Sequence, residues 1–291
     1  MALSDVVRRD GVQVQEAQTA SHVGELLNQA EQEGGIWAIL WRGDFSEALG
    51  AALRAVADEM RSPMLVFLDP TGYSMPFDVV RSVVTRRWSE LLLTFMSGHM
   101  ERWCRDPRKR ETIIRTFGDD EWEPGDWESL TAQYVERIKR LRPNVCVCAY
   151  KVRHARTSRP IYHLLHISHH WKAAQIVKRE MWQETTPGLT EPGYGGHRHK
   201  ALRQSPRLFD HERQVAAEKL ADMLLDTWAG RKVSFDELEQ RVECGTIYTA
   251  QHLREALRML EAQGYATVTG TGPRGAIRAD SVIVFAPARG H

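Results

Sequence analysis

The sequence has little net charge and no long apolar run. Its 291 residues carry a formal net charge of +1, so no overall field favours a nucleic-acid or membrane partner, and any such surface must be local. No uninterrupted apolar segment is long enough to span a bilayer, and Met1–Asp5 holds no apolar core of a signal peptide. These absences predict a cytoplasmic protein without a membrane partner.

Motifs for binding a metal ion are also scarce. The 4 cysteines include no Cys-x-x-Cys pair, and Cys146 and Cys148 alternate with valine, as on one face of a strand. Thiols in such a pattern usually pack as small hydrophobic groups. His163 and His166 would face opposite sides of a strand, and no cysteine or acid completes a ligand set beside them. We predict structural cysteines and no metal site, with a metal or redox role for the cysteines as the alternative.

Apolar strands alternate with amphipathic helices in the first part of the chain. This alternation is typical of an α/β protein with a doubly wound, mostly parallel sheet. Two β-rich runs, 145–152 and 161–167, are separated only by the basic segment 153–160, which predicts a hairpin and hence an antiparallel edge. The strands predicted before this hairpin are Val12–Glu16, Ile36–Trp41, Met64–Leu68 and Glu90–Phe95.

The pattern changes after residue 184. Residues 185–206 contain prolines, glycines and basic side chains without periodicity, which predicts a linker. Three amphipathic helices and two short strands follow, and the strands flank a glycine-rich turn that carries Arg274. This order predicts a winged helix-turn-helix. We therefore divide the chain into a Rossmann-like domain at 1–184, a linker at 185–206 and a winged-helix domain at 207–291.

Three acids stand at the ends of predicted strands, namely Glu16, Asp44 and Asp69. In an open α/β sheet, ligands bind outside the carboxyl ends of the strands. Glu16 can accept from ribose hydroxyls there, Asp44 from an adenine amine, and Asp69 can orient a substrate. An acid at a strand end is also a common helix cap, and this alternative stays open for Glu16 and Asp44.

The strand at 64–68 runs directly into Asp69-Pro70-Thr71-Gly72-Tyr73. Proline and glycine force an abrupt turn, in which the carboxylate of Asp69 and the ring of Tyr73 can face one ligand. The sequence therefore predicts the substrate end of a site at this turn.

These segments resemble known families. Glu16, then Gly43-Asp44-Phe45, then Phe67–Tyr73 are similar in order to three segments of Rossmann-like S-adenosylmethionine-dependent methyltransferases. The chain more narrowly resembles the three-Cys-motif partner proteins (TcmP family) in its Asp-Pro-x-Gly turn, its Tyr-His-Leu-Leu strand at Ile161–Ser168 and its C-terminal helix at Thr249–Leu257.

The resemblance implies a methyltransferase-like protein. It implies S-adenosylmethionine held near Glu16, Asp44 and Phe45, with Asp69 and Tyr73 as the catalytic residues at the substrate. It also implies a protein partner, a three-Cys-motif protein similar to radical SAM enzymes.

The methyltransferase pattern is incomplete at its start. Enzymes of this kind begin with a strand and a glycine-rich turn near the methionine end of the cofactor, whereas no Gly-x-Gly precedes Asp44. Two functions therefore stay open. One is a methyltransferase-like protein that acts on or binds nucleic acid; the other is a non-catalytic nucleic-acid-binding or partner-docking protein on a degenerate Rossmann-like scaffold.

The winged helix supplies candidate nucleic-acid contacts. Its third helix would lie in the major groove, and its wing would touch a phosphate or the minor groove. Glu255 and Glu261 on the same helix, and the lack of a strong basic surplus, leave docking to a protein as the alternative. The candidate contacts are Thr249, Gln251, His252, Arg254 and Arg258 on the helix, and Arg274 and Arg278 on the wing.

Overall fold

The structure is a computed structural model with two compact units. It describes residues 12–17, 19, 22, 25–26, 29, 32–33, 36–41, 49–50, 52–53, 63–70, 72, 75–154, 157, 159–185, 192–194 and 206–287. One unit comprises Met1–Met64 and Arg86–Trp88, and the other comprises Leu65–Thr85 and Ser89–His291. The division predicted at residues 184 and 207 stays a prediction.

The first unit contains a two-stranded parallel sheet. Strand β1 (Val12–Ala17) pairs with β2 (Ile36–Trp41) over their whole length. In the same unit, the backbone N–H of Met64 donates to the carbonyl oxygen of Trp88 over 2.8 Å. The guanidinium of Arg86 donates to the carbonyl oxygen of Leu53.

The second unit combines a five-stranded mixed sheet, flanking helices and a C-terminal three-stranded sheet. Its elements before residue 200 are β3 (Met64–Leu68), α1 (Phe77–Val84), β4 (Ser89–Phe95), α2 (Ser97–Trp103), α3 (Arg110–Phe117), α4 (Trp127–Leu141), β5 (Cys146–Arg153), β6 (Pro160–Ser168), α5 (Trp171–Gln183) and β7 (Gly193–Tyr194). Those that follow are α6 (Pro206–Trp228), β8 (Lys232–Ser234), α7 (Phe235–Gly245), α8 (Ala250–Ala262), β9 (Ala266–Thr269) and β10 (Val282–Phe285).

The strand order of the larger sheet is β3-β4-β6-β5-β7. The predicted hairpin is confirmed, because β5 and β6 pair antiparallel from Cys146–Ser168 to Arg153–Pro160. Its predicted place at the edge is wrong: β6 also pairs antiparallel with β4, and β7 adds a parallel strand beyond β5. A mostly parallel sheet was expected, yet two of the three pairings with assigned direction in this sheet are antiparallel. The fold is a mixed α/β sheet with parallel pairs, followed by a winged helix.

Helices pack on both faces of the larger sheet. On one face, the stacked rings of Phe95 and Tyr134 lie 4.3 Å apart, and Phe117 packs against both. On the other face, Ala174 and Met181 of α5 cover the cysteines of β5. On β3, Leu65 and Phe67 expose 66% and 58% of their surfaces.

The described helices include none that is long and apolar enough to cross a bilayer. Within the same residues, no group of three or more His, Cys, Asp or Glu side chains is placed to hold a metal ion.

Candidate functional site

Helix α8 is the predicted recognition helix of the winged helix. It begins after Thr249, whose backbone N–H donates to His252 Nδ1 over 3.1 Å in a capping box. Its apolar side chains at 253, 256, 257 and 260 are fully buried in the core of the winged helix. This spacing fixes which face of α8 points outward.

The outward face of α8 carries two of the predicted contacts, Gln251 and Arg258, both exposed. Arg254 is half-buried and packs against helix α7. Its guanidinium lies 3.5 Å from Glu239 and 4.8 Å above the ring of Phe235. Arg254 therefore has a packing role in addition to any contact that it makes.

His252 lies inside the molecule, although the sequence placed it among the DNA contacts. Only 5% of its surface is exposed. Its ring packs against Trp182 at 4.6 Å, and its Nδ1 is occupied by Thr249. Because Thr-x-x-His puts a side chain with a nitrogen acceptor at the third helical position, the capping role was readable from the sequence.

The wing presents Arg274 at its tip. This residue adopts a left-handed conformation, with φ of 58°, and its side chain is exposed. Arg278 is also exposed on the wing, and its backbone N–H donates to Ser281 Oγ over 2.9 Å. Its guanidinium packs over Gly272, where an added Cβ would lie 2.8 Å from Cζ. A side chain at Gly272 would therefore displace Arg278.

The charge of the winged helix is balanced as a whole. Residues 207–291 contain 11 Lys or Arg and 12 Asp or Glu. A positive surface on this part of the chain thus depends on where individual side chains lie, and the exposed basic residues include Arg258 on the helix and Arg274 and Arg278 on the wing.

A lysine from the α/β part holds the turn between α7 and α8. Lys178 of α5 is 1% exposed. Its Nζ donates to the carbonyl oxygens of Val242, Glu243 and Tyr248 over 3.2, 2.6 and 2.9 Å, and lies 3.0 Å from the carboxylate of Glu243. The other oxygen of that carboxylate accepts from the first N–H of α8, at Ala250, over 2.7 Å. The recognition helix is therefore positioned by a residue outside the winged helix.

Two further links join α5 and β5 to the winged helix. Trp182 Nε1 donates to the carbonyl oxygen of Ile247 over 2.7 Å. Cys146 of β5 forms a disulfide with Cys244 at the end of α7. Structural thiols were expected at all four cysteines; only Cys104 and Cys148 are free, and both are buried.

The predicted Asp-Pro-x-Gly turn lines a pocket at the end of β3. Asp69 is exposed there, and the pocket has a volume of about 460 Å³. Its wall is mostly apolar, with Thr94 and Tyr162 adding hydroxyl groups. The lining residues are Phe67, Asp69, Pro70, Gly72, Leu92, Thr94, Met96, Ile161, Tyr162 and Leu164.

Asp69 is the one predicted cofactor or catalytic residue whose side chain the structure describes. Tyr73, Asp44 and Phe45 lie outside the described residues. Glu16 lies in β1, which belongs to the other unit, and its side chain is not among those that the structure describes. A cofactor site made by these residues stays a prediction.

The two histidines of β6 are structural. His163 Nδ1 lies 2.8 Å from Ser97 Oγ and 2.9 Å from Thr131 Oγ1, and burial, with Lys151 and Arg153 nearby, lowers its pKa to about 3. His166 Nε2 lies 2.8 Å from Glu90 on the other face of the sheet. Burial lowers the pKa of His166, although Glu90 opposes this shift.

Comparison with known proteins identifies one part of the chain. A family model described as the GMT-like wHTH domain matches residues 199–272. The C-terminal part is a winged helix. No curated protein and no solved structure matches the chain significantly. The match spans α6 to α8 and the first strand of the wing, and ends before Arg274.

Proposed function

We propose that the protein binds nucleic acid through its winged helix. The observation that carries this proposal is the placement of Gln251 and Arg258 on the outward face of α8, with Arg274 exposed at the tip of the wing. A helix of this kind reads the major groove, and a basic wing tip reaches a phosphate or the minor groove. The family match to a winged helix supports it.

Neutralising the helix and wing arginines tests this proposal. We expect Arg258→Gln together with Arg274→Gln to weaken binding of a duplex DNA oligonucleotide, because each arginine that contacts a phosphate releases a counterion. The slope of log affinity against log salt should fall by about 0.9 per lost contact. Fluorescence anisotropy over a range of salt concentrations measures both quantities.

The control for that experiment is Arg179→Gln together with Arg140→Gln, which removes the same charge from exposed sites on α5 and α4. Equal affinity and equal slope in both double variants would refute DNA binding by this surface. Such a result would favour the alternative, in which Glu255 and Glu261 mark the face of α8 as a docking site for a protein.

We further propose a methyltransferase-like site on the α/β part, with S-adenosylmethionine as the cofactor. The pocket at Asp69 favours this second function, because it places a carboxylate beside hydroxyl groups and apolar walls at the end of a strand. In the proposal, Glu16, Asp44 and Phe45 hold the cofactor, and Asp69 and Tyr73 orient the methyl acceptor. A three-Cys-motif protein is the proposed partner.

Calorimetric titration of S-adenosylmethionine tests this site. We expect heat of binding with the native protein and its loss in Glu16→Ala, whose carboxylate is proposed to accept from the ribose. Asp69→Asn is the matched control, because that residue belongs to the substrate end and its variant should keep the affinity for cofactor. Absence of heat at high micromolar S-adenosylmethionine would refute the cofactor site and favour the non-catalytic function.

A further inference from the structure

The α/β part carries a second basic surface, distant from the winged helix. We name Arg102, Arg105, Lys109 and Arg159 the basic rim; all four are exposed. The rim lies at the end of the β5–β6 hairpin opposite Cys146, the residue bonded to Cys244 of the winged helix. Strand β5 has 8 residues, so this separation is about 25 Å.

Packing of α2 on β6 brings the two sequence segments of the rim together. Gly98 of α2 lies so close to the first residues of β6 that an added Cβ would be 2.8 Å from the carbonyl oxygen of Ile161. Arg102 lies in α2 and Arg105 follows it, while Arg159 directly precedes β6. Residues more than fifty positions apart in the sequence thus share one end of the sheet.

The charge of the rim is only partly offset by neighbouring acids, because the carboxylate of Asp106 interacts with the charge of Lys109. Nearby basic side chains have acidic partners: the guanidinium of Arg108 donates three hydrogen bonds to Asp106, and Lys151 and Arg153 share the carboxylate of Glu128. In the part of the chain that the structure describes, no carboxylate forms an ion pair with a member of the rim. A local positive surface remains on a chain whose total charge is near zero.

The segments that carry the rim also contribute residues to the pocket at Asp69. Met96, at the start of α2, and Ile161 and Tyr162, at the start of β6, line that pocket. None of the large apolar side chains that are exposed in the described structure belongs to the rim (Leu65, Phe67, Trp88, Ile176 and Val284), so the rim itself offers no anchor for a bilayer.

We propose that the basic rim binds the sugar-phosphate backbone of a nucleic acid, as a second contact surface in addition to the winged helix. Regularly repeated phosphates match several dispersed, flexible cations, whereas a tight protein interface needs buried aromatic anchors that the rim does not present. The inference extends the proposed nucleic-acid binding to a site at the end of β5 about 25 Å from Cys146, the residue bonded to the winged helix. It does not depend on catalysis at Asp69.

The test neutralises the rim with Arg105→Gln and Lys109→Gln and measures binding of short single-stranded and duplex DNA. We expect roughly tenfold weaker binding near physiological salt, and a salt slope lower by about 1.4 for single strands or 1.8 for duplex. Arg140→Gln together with Arg179→Gln is the control of equal charge. The substituted side chains are exposed, and thermal melting verifies that both proteins stay folded.

Binding by the rim variant that equals the control, with both DNAs, overturns the proposal. It is also overturned if the rim variant loses affinity for a polyglutamate peptide or for phosphatidylserine vesicles but not for DNA. The Arg258→Gln, Arg274→Gln variant separates the two proposals. A rim effect without an effect of that variant supports the rim and refutes the winged-helix surface, and the reverse result refutes the rim alone.

Discussion

Replacing Lys178 with Met is expected to destabilise the protein by about 3–5 kcal/mol, the usual cost of breaking a buried ion pair from one side. The substitution leaves the fully buried carboxylate of Glu243 without its counter-charge. It also removes the donor of three backbone carbonyls around the turn before α8. Chemical denaturation followed by tryptophan fluorescence measures the loss, since Trp182 packs on the same turn.

Lys172→Met is the matched control, because it makes the same chemical change at an exposed position of the same helix. Its effect should stay within about 0.5 kcal/mol. The double variant Lys178→Met, Glu243→Met should lose less than the sum of the single variants, since neither buried charge then remains unpaired. Additive losses, or equal stability of Lys178→Met and Lys172→Met, would contradict the stabilising role of Lys178.

The positioning of the recognition helix follows from this arrangement. The carboxylate of Glu243 connects Lys178 to the first N–H of α8, so α5 and α8 share one hydrogen-bonded network. Buried polar networks are rigid when they are satisfied. The winged helix is therefore held rigidly against the sheet. The fold thus sets the distance between the proposed nucleic-acid-binding surface of the winged helix and the basic rim.

Local patterns predicted the elements well. The alternating run at β5 and β6 with its basic turn predicted the hairpin, and helical spacing followed by short strands predicted the winged helix. These features depend on neighbouring residues, which the sequence shows directly. The place of the hairpin in the middle of the sheet depends on β4 and β7, and no local pattern specifies which strand a hairpin joins.

The residues that join the two parts were harder to find. Lys178 is buried against residues more than sixty positions away, and Cys146 pairs with a cysteine 98 positions away. One signal was present: Lys178 falls between Ala174 and Met181 at helical spacing, on the buried face of α5. A charged residue at such a position needs a partner, although the sequence does not say which.

Opening the disulfide between Cys146 and Cys244 is expected to lower stability by about 2–5 kcal/mol, because the bond closes a long loop of the unfolded chain. The loop spans 98 residues, from the central hairpin to the end of α7. Reduction by dithiothreitol and the variant Cys244→Ser should therefore lower the denaturation midpoint by similar amounts. Peptide mapping without reductant should recover the two cysteines in one linked product.

Cys146 and Cys244 line an open cleft between the sheet and the winged helix, from which a thiol reductant can approach the bond. Burial raises the pKa of Cys148 to about 11, which keeps this neighbour protonated and makes it a poor nucleophile for exchange. Cys148→Ala should consequently leave the linked product intact, and the stability of Cys244→Ser should not respond to reductant. Equal stability of the native protein with and without reductant would contradict the role of the bond.

Because a reducing cytoplasm disfavours disulfides, the same peptide map on protein taken from cells with their thiols blocked also tests the predicted location.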